Sequence, residues 1–240
     1  PSKPKTLPTY ERMGYGGKLG YQKDGLQLEV ITFYAEDNPA TLAYKPEAST
    51  LFPRQNLAMG YTAQFKPLSG LNVNLTYSTS AITLNDKSSK EVSQSNYLQR
   101  LMGTSKSTAF YQAIKGDINY TLRKTSLGVG YEQVDPNYRT LGAHFFTNDL
   151  QNITFNVARA FWQDRVSLSA NVGVQYDNLD DKKSHTTRRT VGNIALSLNP
   201  SDKIQLNSTY SNFMTHVVEQ ETFEKINRTA PTEDADADAT

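Results

Sequence analysis

The residues best suited to chemistry are three histidines, His144, His185 and His216, each within reach of carboxylates in sequence. Imidazole is the side chain whose proton moves near neutral pH, and a neighbouring carboxylate fixes its tautomer. His144 has Asp149 close by, and His185 has Asp180 and Asp181. A hydrolase built on such Asp/His pairs is therefore one reading. No pair shows a spacing that demands catalysis, and histidine in a polar loop is common. The chain is expected to carry no catalytic residue, cofactor site or metal site, and to be no enzyme. Asp177-Asn178-Leu179-Asp180-Asp181 resembles a calcium loop only superficially, because the central glycine and the distal glutamate are missing. With no cysteine in the chain, thiolate chemistry and disulfides are excluded. Gly128-Val129-Gly130 lies inside a strand pattern with no helix after it, so it is no nucleotide fingerprint. The five Asn-X-Ser/Thr triplets, at Asn74, Asn119, Asn152, Asn207 and Asn227, follow from Asn and Thr alternating on polar strand faces.

The elements that must position these groups read as strands. In 71–77, Leu71, Val73, Leu75 and Tyr77 alternate with Asn72, Asn74 and Thr76, which places the apolar set on one face. The pattern recurs. Leu26, Leu28 and Val30 lead to Tyr34; Leu127 and Val129 to Tyr131; Val172 and Val174 to Tyr176; Ile204 and Leu206 to Tyr210. Between them lie partner strands over about 10–22, 57–65, 109–122, 152–162 and 194–198. Gly16 and Gly17 in the first mark a bulge or a close approach. Short turns (23–25, 66–70, 123–124, 163–165, 199–202) alternate with long connections (35–55, 79–108, 132–151, 177–189). A helical turn is conceivable at 97–102. The pattern fades after Phe213. The reading is therefore a linker over 1–9, barrel strands over 10–213, and a polar, acidic segment over 214–240 that is a disordered tail or an external loop.

An alternating strand hides from hydropathy, and the mean value here is −0.59. No run approaches the roughly 20 apolar residues of a membrane helix. The 25 basic and 24 acidic residues balance, so no nucleic-acid partner is implied. The aromatics are more telling. Tyr34, Tyr77, Tyr131, Tyr176 and Tyr210 fall at the loop end of their strands; Tyr21, Phe65, Tyr120, Phe161 and Trp162 fall near the turn end. Two such rows are what a lipid bilayer selects, with rings in the interface and polar tips in water. Short turns at one end and long loops at the other are the asymmetry of an antiparallel up-and-down transmembrane β-barrel. A soluble sandwich shares the alternation but has no cause for the two rows. Lys182, Lys183, Arg188 and Arg189 could meet anionic lipopolysaccharide headgroups, although a solvated loop of balanced charge explains them as well.

From Val134-Asp135-Pro136-Asn137-Tyr138 through Phe146-Thr147-Asn148-Asp149, and from Asp177-Asn178-Leu179-Asp180 to Tyr210-Ser211-Asn212-Phe213, the chain resembles large Gram-negative outer-membrane β-barrel proteins. The resemblance implies a fold and a compartment, the outer membrane, and little chemistry. About ten strands beginning and ending on the loop side do not suit a closed bacterial barrel, so a section of a larger barrel is expected. The expected role is a porin-like channel, or the scaffold of a larger membrane assembly, with outer-membrane lipid and other strands or subunits as partners. The alternatives are adhesion through loops 35–55, 79–108 and 132–151, and a rim hydrolase.

Overall fold

Alternation of small polar and apolar residues produces strands, and each strand pairs with the one that follows it. In the computed structural model, which describes residues 9–41, 52–84, 107–143, 147–201 and 203–219, ten strands form one antiparallel sheet in sequence order. They are β1 (Glu11–Lys23), β2 (Leu26–Asn38), β3 (Gln55–Leu68), β4 (Leu71–Thr83), β5 (Thr108–Leu122), β6 (Thr125–Val134), β7 (Leu150–Phe161), β8 (Val166–Asp177), β9 (His185–Ser201) and β10 (Ile204–Glu219). Among the described residues one 3-10 turn, Pro39–Thr41, follows β2. No described helix is long and apolar enough to cross a membrane, which says nothing of strands. The sheet is open, with β1 and β10 at its edges.

The hairpins behave as their turn residues require. Asp24 and Gly25 both take positive φ (42° and 81°), the two-residue geometry that matches strand twist. Gly70, at φ 83°, is obligatory: a Cβ there would lie 2.2 Å from the carbonyl oxygen of Thr121. The β7–β8 turn places Trp162, Gln163 and Asp164 all at positive φ.

Several boundaries differ from the sequence reading. β9 begins at His185, so the fourth long connection is only 178–184; a polar strand face there reads like a loop. β9 also runs through Pro200 to Ser201, beyond the expected turn at 199. β10 continues past Phe213 to Glu219, with Met214 and Val218 on one face and Val217 on the other. Gly16 and Gly17 make no bulge, since the β1–β2 register is unbroken. Gly14 and Gly16 instead admit the Phe33 ring, with a Cβ at Gly14 falling 3.0 Å from it. The linker at 1–8, the turn at 97–102, His144 and the segment 220–240 lie outside the described residues.

The two faces of the sheet are unlike. On one, Val129, Phe155 and Val172 sit side by side in register on β6, β7 and β8. They are 51%, 49% and 49% exposed, although these strands lie well inside the sheet. A water-soluble sheet buries such a face. The other face carries mostly Asn, Ser, Thr and Gly, with the ion pairs Lys18–Glu29 and Lys115–Glu132 and the apolar exceptions Ile31, Val191, Phe213 and Val217. The largest fully buried side chains, Asn56, Ser80, Ile82 and Pro53, gather at the loop end of β3 and β4 on or beside that polar face. The apolar side is thus the outside and the polar side the inside, as in an antiparallel up-and-down transmembrane barrel. Here the barrel wall lies open between β1 and β10.

Candidate functional site

The polar face is crossed near its loop end by part of the connection between β6 and β7. The base of this loop is closed by Asp149 N–H donating to the Asp135 carbonyl at 3.2 Å. The Asp135 carboxylate accepts from the backbone N–H of Gln112 at 2.7 Å. Asn137 takes φ 61°, which turns the chain inward. From there successive residues meet successive strands. Tyr138 packs edge-on against Tyr111 of β5, with ring centroids 6.5 Å apart. The Arg139 carbonyl accepts from Ser80 of β4 at 2.7 Å. Thr140 and Leu141 reach Asn56 of β3, and Gly142 lies against the Phe33 ring of β2.

The geometry is that of a crosspiece. Three inter-strand gaps of about 4.8 Å make about 14 Å. Four residue steps of at most about 3.4 Å can reach across that distance. Residues 138–142 therefore run as a strap across the strands, with a turn at Leu141 and Gly142, pressed on the inner wall.

Asn56 is its clamp. Its Nδ2 donates to Ser80 Oγ at 2.8 Å and to the Ala81 carbonyl at 2.9 Å. Its Oδ1 accepts from Thr140 Oγ1 at 2.7 Å and from the Leu141 N–H at 2.9 Å. All four bonds available to a carboxamide are made, within a fully buried site. Burial of Tyr138 raises its phenol above the ordinary value, which keeps that ring neutral. Gly142 has no room for a side chain: its Cβ would lie 2.9 Å from Phe33.

A second fastening ties the next loop to the base of the strap. Asp149 is 3% exposed; one oxygen accepts from Leu179 N–H at 2.8 Å and the other pairs with Lys183. Burial works to raise this carboxyl, but Lys183 and the N–H groups of Leu179 and Asn178 together hold it below its ordinary value. Asn178 closes the loop by accepting from Lys183 N–H at 2.8 Å and donating to Thr186 at 2.9 Å. A depressed folded-state pKa stabilises above the unfolded value, and that contribution is lost as pH falls through the folded one. Amide protection over 178–184, measured relative to the intrinsic exchange rate at each pH, should therefore be unchanged from neutral pH to about pH 5 and fall at stronger acid. Asp149→Asn should exchange quickly already at neutral pH. Equal protection of the variant and the parent chain at neutral pH would refute this latch.

The residues expected to mark membrane interfaces lie on the outer face or in the turns. At the loop end each expected tyrosine meets a polar group. Tyr34 donates to Glu36 at 2.7 Å, Tyr77 to Gln112 at 2.8 Å and Tyr131 to Gln133 at 2.6 Å. Asn212 donates to Tyr210 at 3.3 Å, and the Arg188 guanidinium lies 5.5 Å over the Tyr176 ring. These four hydrogen-bond partners all lie on the loop side of their ring. At the turn end Tyr21, Phe65, Tyr120 and Phe161 face outward, and Trp162 stands in its turn, 78% exposed.

The titratable groups are not assembled as the sequence suggested. His185 accepts or donates at 2.6 Å with Ser184 and lies 3.6 Å from Glu219, while Asp180 pairs with Lys182. His216 stands on the outer face of β10, opposite Arg188. Asp149, which is near His144 in sequence, pairs with Lys183, and His144 lies outside the described residues. Among the described residues no group of three metal-binding side chains occurs. The strap and its clamp escape sequence reasoning altogether, because Asn56 reads as one more polar residue on an alternating strand. A hint is the cluster of apolar residues and a glycine, Tyr138, Leu141, Gly142, Phe145 and Phe146, inside an otherwise polar loop.

No family model matches the chain, and no curated protein matches it. Among solved structures it is similar to LpxR from Salmonella typhimurium, at 13% identity, covering 84% of this chain and 87% of that one, with a TM-score of 0.28. So distant a likeness assigns no residue and no chemistry. One expectation needs correction. The exclusion of an enzyme does not hold, because a missing catalytic spacing excludes no activity; LpxR itself is an outer-membrane lipid A deacylase.

Proposed function

We propose that the chain forms wall of an outer-membrane β-barrel in a Gram-negative bacterium, and that this wall encloses a pore narrowed by the strap, or serves as scaffold of a larger membrane assembly. The observation that carries the reading is the division of the faces. Large apolar side chains stay exposed on one side, while the inward-folded loop is clamped to the polar other. Lipid is the solvent that suits the first, and water the second.

On this reading residues 10–213 and the rest of β10 span the bilayer, with short turns in the periplasm and long loops outside. Tyr34, Tyr77, Tyr131, Tyr176 and Tyr210 mark the outer interface. Phe65, Tyr120, Phe161 and Trp162 mark the inner one. The polar partners above the first row then lie where headgroups and water begin. Outer-membrane lipid is one partner. In lipid the backbone edges of β1 and β10 must also be covered, by each other or by further strands or subunits.

The test is reconstitution of the chain, folded in detergent, into planar bilayers. Stepwise conductance through a detergent-dependent, heat-shifted species is expected. A compact monomer in plain buffer that never inserts would overturn the reading.

A further inference from the structure

The polar face carries a second constellation, lower on the wall than the strap. Asn72 of β4, Asn119 of β5, Gly128 of β6, Asn156 of β7, Asn171 of β8, Asn193 of β9 and Ser211 of β10 stand directly opposite one another, strand by strand. They form one continuous row across seven strands, perpendicular to the chain direction. The flanking rows are small. Towards the turns run Ser126, Ala158, Ser169 and Ala195; towards the loops run Gly130, Thr154, Gly173 and Val191. The carboxamides therefore project from a low surface. Asn119, Asn156, Asn171 and Asn193 border a shallow depression of about 170 Å³ around Gly128. None of the described residues lining it is charged.

Gly128 makes the recess. A Cβ there would lie 2.3 Å from Asn119 Oδ1 and 3.3 Å from Asn156 Nδ2. The row is only partly self-satisfied. Asn171 donates to Asn156 Oδ1, and Asn193 donates to Ser211 at 2.8 Å. Among the described residues this leaves the Asn156 amide N–H groups, the Asn171 and Asn193 carbonyl oxygens and the whole Asn119 carboxamide without a protein partner. Donors and acceptors thus alternate along an uncharged wall.

We propose that this row is a binding subsite for a neutral, hydroxyl-rich ligand, a sugar unit of an oligosaccharide. A hydroxyl is both donor and acceptor, so neighbouring hydroxyls on one ring can meet an N–H and a carbonyl oxygen in turn. An ion would find no countercharge in the recess. The nearest charges on this face stand towards the loops: Asp117 opposite Gly130, then Lys115 paired with Glu132 at 4.0 Å. The proposal rests on the reading of this face as a water-filled lumen, and binding is measured without any conductance.

The test is saturation-transfer NMR and calorimetry on the full chain folded in detergent, with maltotriose as probe and gluconate as a charged counterpart. Maltotriose should bind in the millimolar range, with gluconate at least about fivefold weaker. Removing one or two hydrogen bonds in an Asn156→Ala, Asn171→Ala double variant should weaken maltotriose about tenfold. Gly128→Leu should abolish binding by filling the recess, with the heat-shifted band reporting that the chain still folds. If that variant fails to fold, the double variant alone decides. No binding of maltotriose by the parent chain, or equal binding by the double variant, overturns the subsite. The latter result would mean that the row only knits strands together. Binding with no conductance would keep the subsite and reject the pore.

Discussion

Asn56→Ala should release the strap. The substitution removes four hydrogen bonds at a buried position, two that tie β3 to β4 and two that hold residues 140 and 141. At about 1 kcal/mol for each bond, less whatever water restores, the loss is on the order of 3 kcal/mol. Its direction is certain to be unfavourable, because the Leu141 N–H and the Ala81 carbonyl would be left facing an apolar methyl group. Two measurements read it. Urea unfolding of the heat-shifted species should move to lower concentration. Amide exchange over 138–142 should quicken far more than exchange in β6 and β7. Asn56→Asp separates the halves of the clamp: it keeps the acceptors for Thr140 and Leu141 and loses the donors to Ser80 and Ala81, so its strap should stay more protected than that of Asn56→Ala. On the pore reading Asn56→Ala should also raise single-channel conductance. Unchanged exchange over 138–142 would show that Ser80 and the Phe33 contact suffice to hold the strap.

The second large effect belongs to the outer face. Val129 stands midway along β6, between Ile118 of β5 and Phe155 of β7, with its side chain directed away from the strap. On the membrane reading Val129→Arg places a guanidinium near the bilayer midplane, at a cost of about 2–4 kcal/mol. Thr154→Arg, on the polar face of the adjacent strand, should cost far less, since its charge enters water. In a soluble sheet with this exposed face in buffer, neither substitution would matter much. The paired measurement is the yield and urea midpoint of the folded species in lipid. Equal tolerance of both variants would remove the case for lipid on the Val129 face.

Much of the fold is legible in the residues because it is written with a period of two. Leu71, Val73, Leu75 and Tyr77 on one side, and Asn72, Asn74 and Thr76 on the other, leave little freedom for that strand. The turns at Asp24-Gly25 and Ser69-Gly70 announce themselves through glycine at positive φ. Where alternation weakens, the reading fails. β9 starts with His185, Thr186, Thr187, Arg188 and Arg189, polar on both faces, and a strand that is polar on both faces has the composition of a loop. The late residues of β10 have the opposite fault, with apolar groups on both faces at Phe213, Met214, Val217 and Val218. The strap lies beyond any periodic signal. Its partners come from β2, β3, β4 and β5, and only folding brings them beneath it. The same holds for the carboxamide row: each asparagine is unremarkable in its own strand, and the row exists only in register. The catalytic reading of the histidines shows the converse. Proximity in sequence offered Asp180 and Asp181 for His185, whereas the fold pairs Asp180 with Lys182; Asp149 pairs with Lys183, and its sequence neighbour His144 lies outside the described residues.

The order in which the chain assembles is set by the clamp on Asn56. Every strand pairing is between sequence neighbours, so each hairpin can close soon after its residues are available. The hydrogen bond from Thr140 to Asn56 spans 84 residues, a separation that only the intervening strand pairings shorten. It cannot form until β6 and β7 exist to launch the strap and β3 is in place to receive it, with β4 and β5 between them. Strap docking is therefore the last step at this end of the molecule, and it divides maturation into two stages: a wall is raised first, and the crosspiece is drawn over it afterwards.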